Sequence, residues 1–121
     1  MDFRSELERL CAGVPGARAA SIMGLDGIPI DHVEPAEGGG IDTSALVVEY
    51  SGLLGQVKAS AQMLAAGELE EVTVRAERLA CVMRTVTAEF FVAVVLDQDA
   101  SIGRARHALR LLAPRFRSEL S

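Results

Sequence analysis

The chain has 121 residues, of which 50% are hydrophobic and 24% charged, and this composition is typical of one folded domain rather than a disordered segment. Its net charge of −5, with no tryptophan and one tyrosine, argues against a nucleic-acid binder, which normally has a basic surplus and stacking aromatics. The longest apolar run, residues 90–96, is far shorter than the roughly 20 residues of a membrane span, and no secretory signal opens the chain. We therefore expect a cytoplasmic protein.

The two cysteines and two histidines are scattered along the chain. Cys11 and Cys81 lie 70 positions apart, and neither histidine is spaced as a zinc ligand would be. We expect both cysteines to be small buried residues without a disulfide, and we expect no metal and no cofactor.

The first predicted elements are a helix and a β-hairpin. Apolar residues recur at helical spacing over 3–14, and Asp2 stands where an N-cap would be. Two β-like runs, 17–25 and 28–33, flank an Asp-Gly pair, which is a strong hairpin signal. Because proline cannot donate a ladder hydrogen bond, Pro29 indicates that the second strand lies at an edge of the sheet.

A loop over residues 34–40 leads into the longest helix. The loop contains three consecutive glycines, but no Lys-Ser or Lys-Thr pair follows them, so we interpret it as a connection and not as a phosphate-binding loop. Asp42 or Thr43 caps the helix, which is predicted to run to about Ala66 with Gly67 as its stop signal.

This long helix has two non-polar stripes when residues are placed at about 100° intervals. The predicted core stripe consists of Leu46, Tyr50, Leu53, Leu54, Val57, Ala61 and Leu64. The opposite side, here called the small-residue stripe, consists of Val48, Gly52, Gly55, Ala59, Met63 and Ala66. Glycine inside a helix costs roughly 1 kcal/mol relative to alanine. The two glycines are either tolerated on the surface or mark close packing by another chain, and we favour the second interpretation.

Three strands and a helix follow. Residues 69–77 alternate and are charged, which predicts an edge strand, whereas 79–86 and 89–96 are apolar. Because the last strand is apolar on both faces, it should be central, with helices on each side. A final helix begins after Asp99, and Pro114 should kink or end it. The order α-β-β-α-β-β-β-α predicts an α/β domain of the α+β type, with a five-stranded antiparallel sheet covered by helices on both faces.

Charge is divided unevenly along this domain. Residues 1–97 hold seven basic against fifteen acidic side chains, whereas 98–121 hold five arginines against two acidic side chains. The basic segment is either a solvated helix face partly paired with the acidic body or a docking strip for an acidic partner.

Three stretches of the chain resemble the Roadblock family, also called the dynein light-chain roadblock family. They are residues 17–27 (ARAASIMGLDG), the small-residue helix over 49–64, and residues 90–106, which end in LDQDASIGRAR. The resemblance covers residues 3–117 and is greatest to the bacterial MglB-like members. It implies a homodimer in which the edge strands, here residues 69–77, pair across a two-fold axis and the long helices lie side by side.

The same resemblance implies binding to a small Ras-like GTPase of the MglA type, whose GTP hydrolysis the dimer would promote without inserting an arginine. We place the expected partner surface at Val48, Gly52, Gly55, Gln56, Ala59 and Met63. The expected dimer interface is Gly52, Gly55, Ala59, Val72, Thr73, Val74 and Arg75. The two sets share three residues, and the sequence does not separate them.

Other functions remain open at this stage. One alternative is a non-catalytic scaffold subunit attached through the basic last helix, and another is a sensory domain enclosing a small ligand. An enzyme is less favoured, because His32 has no identifiable nucleophile beside it and the chain has no GxxxxGK[ST] phosphate loop.

Overall fold

The structure is a computed structural model that describes residues 1–35 and 40–121. Two of the three consecutive glycines, Gly38 and Gly39, lie outside these described residues. Within them are three helices: α1 (Phe3–Gly13), α2 (Thr43–Met63) and α3 (Ile102–Leu120). The strands are β1 (Ala17–Gly24), β2 (Pro29–Val33), β3 (Glu71–Arg75), β4 (Leu79–Thr85) and β5 (Phe90–Asp97).

The strands form one antiparallel sheet in the order β2-β1-β5-β4-β3. β5 is central, as predicted, because its uninterrupted apolar run supplies both faces, and residues 91–96 are all fully buried. The strand with Pro29 and the charged strand β3 occupy the two edges. The predicted fold class and strand arrangement are therefore confirmed.

Two separate cores lie on the two faces of the sheet. On one face α1 and α3 pack together on alternate strand residues, and the core is centred on Leu7, Leu109 and Phe116. Phe3 meets Phe116 edge to face, with ring centroids 5.0 Å apart. On the other face α2 packs alone, through Val47 and Leu54. One helix cannot cover a sheet as fully as two, and this asymmetry leaves apolar side chains half-buried on the α2 face.

The predicted core stripe of α2 is wrong in its rotation about the helix axis. The fully buried positions are Thr43, Val47, Ser51 and Leu54, whereas Leu53 is 39% and Leu64 77% exposed. The observed centre lies roughly 70° from the predicted one. Ser51 is tolerated inside because its hydroxyl donates to the Val48 carbonyl at 2.6 Å, so this buried hydroxyl has a hydrogen-bond partner.

The predicted end of α2 is also wrong, by three residues. The helix ends at Met63, and the left-handed residue that closes it is Ala65, with φ +59°, rather than Gly67. The Ala66 N–H donates to Ala61 O at 2.8 Å and the Ala65 N–H to Gln62 O at 3.2 Å, which is the Schellman pattern. Alanine is rare at such a position, so the sequence did not indicate the boundary.

The last helix continues through Pro114 to Leu120, so of the two expected effects of the proline, a kink or an end, the end does not occur. Proline removes one backbone hydrogen bond, but Ala113 and Phe116 on either side are completely buried. Beyond the proline, Arg117 Nε donates to the Val86 carbonyl at 2.7 Å. Tertiary packing therefore holds the helical turns on both sides of Pro114.

Candidate protein-interaction surface

The small-residue stripe of α2 lies at the protein surface. Gly52, Ala59 and Gln56 are exposed, Gly55 is half-buried, and Val48 and Met63 are 38% and 83% exposed. A Cβ added at Gly52 or Gly55 would meet nothing within 4 Å. No contact among the described residues therefore requires a glycine at either position.

The stripe occupies the flank of α2 that faces the β1–β2 hairpin. A Cβ built on Gly27, in the hairpin turn, would lie 3.3 Å from Ser51 Oγ and 3.6 Å from Val48 Cγ1. The opposite flank, at about 100° per residue, carries Leu46, Tyr50, Leu53 and Val57, and Leu46 and Tyr50 pack on the same apolar cluster as Val72 and Val74 of β3. The two glycines and the β3 edge thus lie on different sides of the helix.

The outer edge of β3 is unpaired within the described residues. The Ala76 N–H donates to Leu79 O and the Glu70 carbonyl accepts from the Thr85 N–H, so even-numbered residues direct their backbone groups toward β4. By the antiparallel alternation, Glu71, Thr73 and Arg75 direct theirs outward. The side chains of Val72 and Val74 are half-buried on the α2 face, and those of Thr73 and Arg75 are exposed.

A polar cluster that the sequence analysis did not find joins β1, β2 and the start of α2. His32 Nδ1 lies 2.5 Å from the Oγ of buried Ser21, and its Nε2 lies 3.1 Å from Thr43 Oγ1 and 3.3 Å from Glu34 Oε1. Hydrogen bonds from Thr43 and then His32 lower the pKa of Glu34. Ser21 is completely buried, so its hydroxyl cannot reach a substrate, and the cluster positions α2 over the sheet.

Ion pairs connect the basic last helix with the acidic body. Arg115 makes a bidentate contact with Glu6 at 2.9 and 3.0 Å, and Arg106 donates to Glu71. The interpretation of a helix face partly paired with the body is therefore correct for these two arginines. The Arg106 hydrogen bond is the main cause that lowers the pKa of Glu71.

The described residues offer little for chemistry. Among them, no group of three or more His, Cys, Asp or Glu side chains could hold a metal ion. Both cysteines are buried and unpaired, and desolvation raises their thiol pKa to about 11 at Cys11 and about 12 at Cys81, so neither is a ready nucleophile. None of the described helices has the length and apolarity needed to cross a bilayer.

The geometry defines a small domain with two faces and an open sheet edge, and comparison with known proteins assigns its class. The family model for the Roadblock/LC7 domain matches residues 4–97. The chain belongs to the Roadblock/LC7 family, as its sequence resemblance indicated. Domains of this family are interaction or regulatory modules.

Solved structures give more detail. MglC from Myxococcus xanthus is 39% identical, with 98% of this chain and 99% of that chain covered and a TM-score of 0.71. Two further structures are each 18% identical with a TM-score of 0.82. The Roadblock/LC7 domain from Streptomyces avermitilis covers 99% of this chain and 98% of its own. The match to the gliding protein MglB from Thermus thermophilus covers 95% of this chain and 85% of the MglB chain. No curated protein matches the chain.

Proposed function

We propose that this chain forms a homodimer that binds a small Ras-like GTPase of the MglA type and promotes its GTP hydrolysis. The observation that carries the proposal is the exposed small-residue stripe of α2, in which no contact with the described part of the chain requires a glycine at either position. Glycines at Gly52 and Gly55 weaken the helix, and this cost is offset if another backbone packs closely against it. The family assignment and the 39% identity to MglC give the proposal its context.

The dimer would form through β3, with the two-fold axis at Thr73. Because odd-numbered residues of β3 direct their backbone groups outward, Thr73 would exchange two hydrogen bonds with its own copy. This register places Glu71 opposite Arg75 of the second copy and Val72 opposite Val74. Opposite charges and β-branched side chains are favourable cross-strand pairs, so the edge is complementary to itself. The result is one continuous sheet of two five-stranded halves.

The two surfaces of α2 would then have separate roles. The flank with Tyr50, Leu53 and Val57 is turned toward β3, and across the axis it would meet the same flank of the second α2. This leaves the small-residue stripe, on the far side of each helix, for the GTPase. We therefore propose that Gly52, Gly55 and Ala59 belong to the GTPase-binding surface and that Val72–Arg75 belong to the dimer interface.

Such a regulator needs no catalytic residue of its own. A protein that binds the hydrolysis-competent conformation of a GTPase more tightly than the other conformations shifts the population toward it. The acceleration is limited by that difference in affinity, so a tenfold faster rate requires about 1.4 kcal/mol. Contact by a flat, small-residue helix surface is sufficient for this mechanism.

The test is single-turnover GTP hydrolysis by an MglA-type GTPase encoded in the same genome, with and without this protein. We expect faster hydrolysis and a nucleotide-dependent complex in light scattering. Gly55→Arg should abolish both, because a long charged side chain then covers the stripe. Gly103→Arg, an exposed helical glycine on α3, is the matched control and should leave both unchanged. Equal rates with and without the protein would contradict the proposal.

A second candidate is a scaffold that assembles a signalling or motor complex without altering GTP turnover. It is favoured by one observation: the chain is 39% identical to MglC of Myxococcus xanthus and 16% identical to MglB of the same bacterium. A chain that is more similar in sequence to MglC than to MglB need not bind the partner that MglB binds. A complex with the GTPase that leaves its hydrolysis rate unchanged would support the scaffold.

A further inference from the structure

A second apolar surface lies on the opposite side of the sheet from α2, in the groove between α1 and α3. The groove has a volume of about 250 Å³, and Leu10, Gly13, Ala108, Leu111 and Leu112 form its apolar lining. Because the sheet separates it from the small-residue stripe, this groove is independent of the function proposed above.

The groove is open, and its floor is buried while its rim is exposed. Leu10 and Leu112 are each only 7% exposed, which fixes the floor, whereas Leu111 is 62% exposed on the rim. A Cβ built on Gly13 would meet nothing within 4 Å, so the end of α1 leaves free space there. The exposed Leu111 beside this apolar floor offers apolar surface that an apolar side chain of a partner can bury.

Arginines border this apolar floor on both helices. Arg9 on α1 and Arg115 on α3 both bind Glu6, through contacts of 3.1 Å and 2.9 Å to the same carboxylate oxygen. Glu6 is 11% exposed, whereas the two arginine side chains are 69% and 53% exposed. One carboxylate between two guanidinium groups leaves a net positive charge and unused N–H donors directed at solvent.

The positive rim continues along α3. Arg104 precedes Ala108 by four residues and therefore lies on the same line of the helix as Ala108, Leu111 and Arg115. Arg104 is exposed, and no side-chain hydrogen bond or ion pair joins it to the other described residues. A second copy of the chain placed in the same groove would bring these like charges together, which is unfavourable.

We propose that the groove between α1 and α3 binds an acidic amphipathic helix of another protein. Its apolar side chains pack on Leu10 and Leu111, and its flanking carboxylates pair with Arg9 and Arg115. A helix fits because two helices already form the walls, and a third helix packs into such a groove through residues at i, i+3, i+4 and i+7. The domain then holds two partners at once, one on each face of its sheet.

The probe is a fluorescein-labelled helical peptide of roughly 15 residues, about four turns, with leucines on one face and glutamates beside them. Its matched control has glutamine in place of every glutamate. Anisotropy titrations of the full chain measure the affinity, and amide NMR shifts locate the site. We expect the acidic peptide to bind more tightly than its control and to shift Gly13 without shifting Gly52 or Gly55.

Two variants test the contacts. Leu111→Ser should weaken peptide binding by roughly tenfold through lost apolar burial, and Arg9→Glu by a similar factor through charge reversal. Ile28→Ser is the matched control, because Ile28 is 66% exposed but lies in the β1–β2 hairpin, and it should leave the affinity unchanged.

Several results would overturn the proposal. They are equal binding of the acidic and glutamine peptides, shifts confined to α2, and no binding at all. If Leu111→Ser instead lowers the mass of the free protein in light scattering, the groove is a contact between copies of the chain. If the parent chain binds phosphatidylglycerol vesicles but not the peptide, and Leu111→Ser abolishes the vesicle binding, the groove faces a membrane.

Discussion

Glu71 is the residue that ties the sheet edge to α3. Its carboxylate accepts a hydrogen bond from Arg106 Nε at 2.9 Å and lies 3.7 Å from Arg84. These contacts lower the pKa of Glu71 below its ordinary value of 4.5, chiefly through the Arg106 hydrogen bond. A depressed folded-state pKa stabilises the fold above the unfolded pKa, and this contribution is lost as the pH falls through the folded pKa.

Glu71→Gln should therefore lower the Tm at pH 7, and the difference from the parent protein should be smaller at an acidic pH below 4.5, because the stabilisation is lost as the pH falls through the lowered folded-state pKa. Thermal melts at both pH values measure this. Glu70→Gln is the control, since this adjacent side chain is exposed and makes no ion pair among the described residues. A Tm difference that is the same at both pH values would contradict the ion-pair explanation.

Side-chain contacts between residues that are distant in the sequence could not be predicted from the sequence. The sequence identifies no partner for His32, yet its ring bonds Ser21 and Thr43, which lie eleven positions away in opposite directions along the chain. Such partners become neighbours only after strand pairing sets the register. Ser101 and Asp2, by contrast, cap helices that start within three residues of them, and both caps could be predicted.

At the scale of elements, strands were easier to place than the rotation of a helix. The Pro29 strand and charged β3 could be assigned to edges, because a missing donor and alternating charge each act within a single strand. The buried face of α2 could not be assigned, because apolar residues surround most of the helix. Which side packs inward depends on fit against β1 and β5, and Val47 with Ser51 fits there better than Leu53.

The two helical glycines give a prediction with opposite signs for stability and binding. Gly52→Ala and Gly55→Ala should each stabilise α2 by about 0.5–1 kcal/mol, because a Cβ at either position enters open space. Urea denaturation measures this gain. The same substitutions should weaken GTPase binding, since a partner backbone can no longer approach as closely. If binding is unchanged while stability rises, these glycines are only tolerated on the surface.

For the whole molecule, the order of the strands in the sheet could be predicted from the sequence because the strands differ in apolarity, charge and proline content. One strand is apolar on both faces, two border it, and the remaining two are an edge with proline and an edge with charge. The proposed association of the chain with a second copy follows less directly from the sequence, since it depends on the open side of β3. The outward backbone groups at Glu71, Thr73 and Arg75 are what make that side competent to pair.

Thr73→Pro tests this edge without disturbing the fold of one copy. Proline removes an N–H that faces away from β4, so the ladder between β3 and β4 stays intact, and proline is tolerated on an edge strand. The central hydrogen-bonded pair of the proposed two-fold contact is lost. We expect light scattering to report a dimer for the parent chain and a monomer for Thr73→Pro. The Tm of a dimer rises with protein concentration, and this dependence should disappear in the variant.

Thr73→Val, which keeps the N–H and the β-branched shape, should remain dimeric. A dimer that survives Thr73→Pro would move the contact away from β3, and the unpaired apolar flank of α2 around Leu53 would then be the surface that joins the two copies.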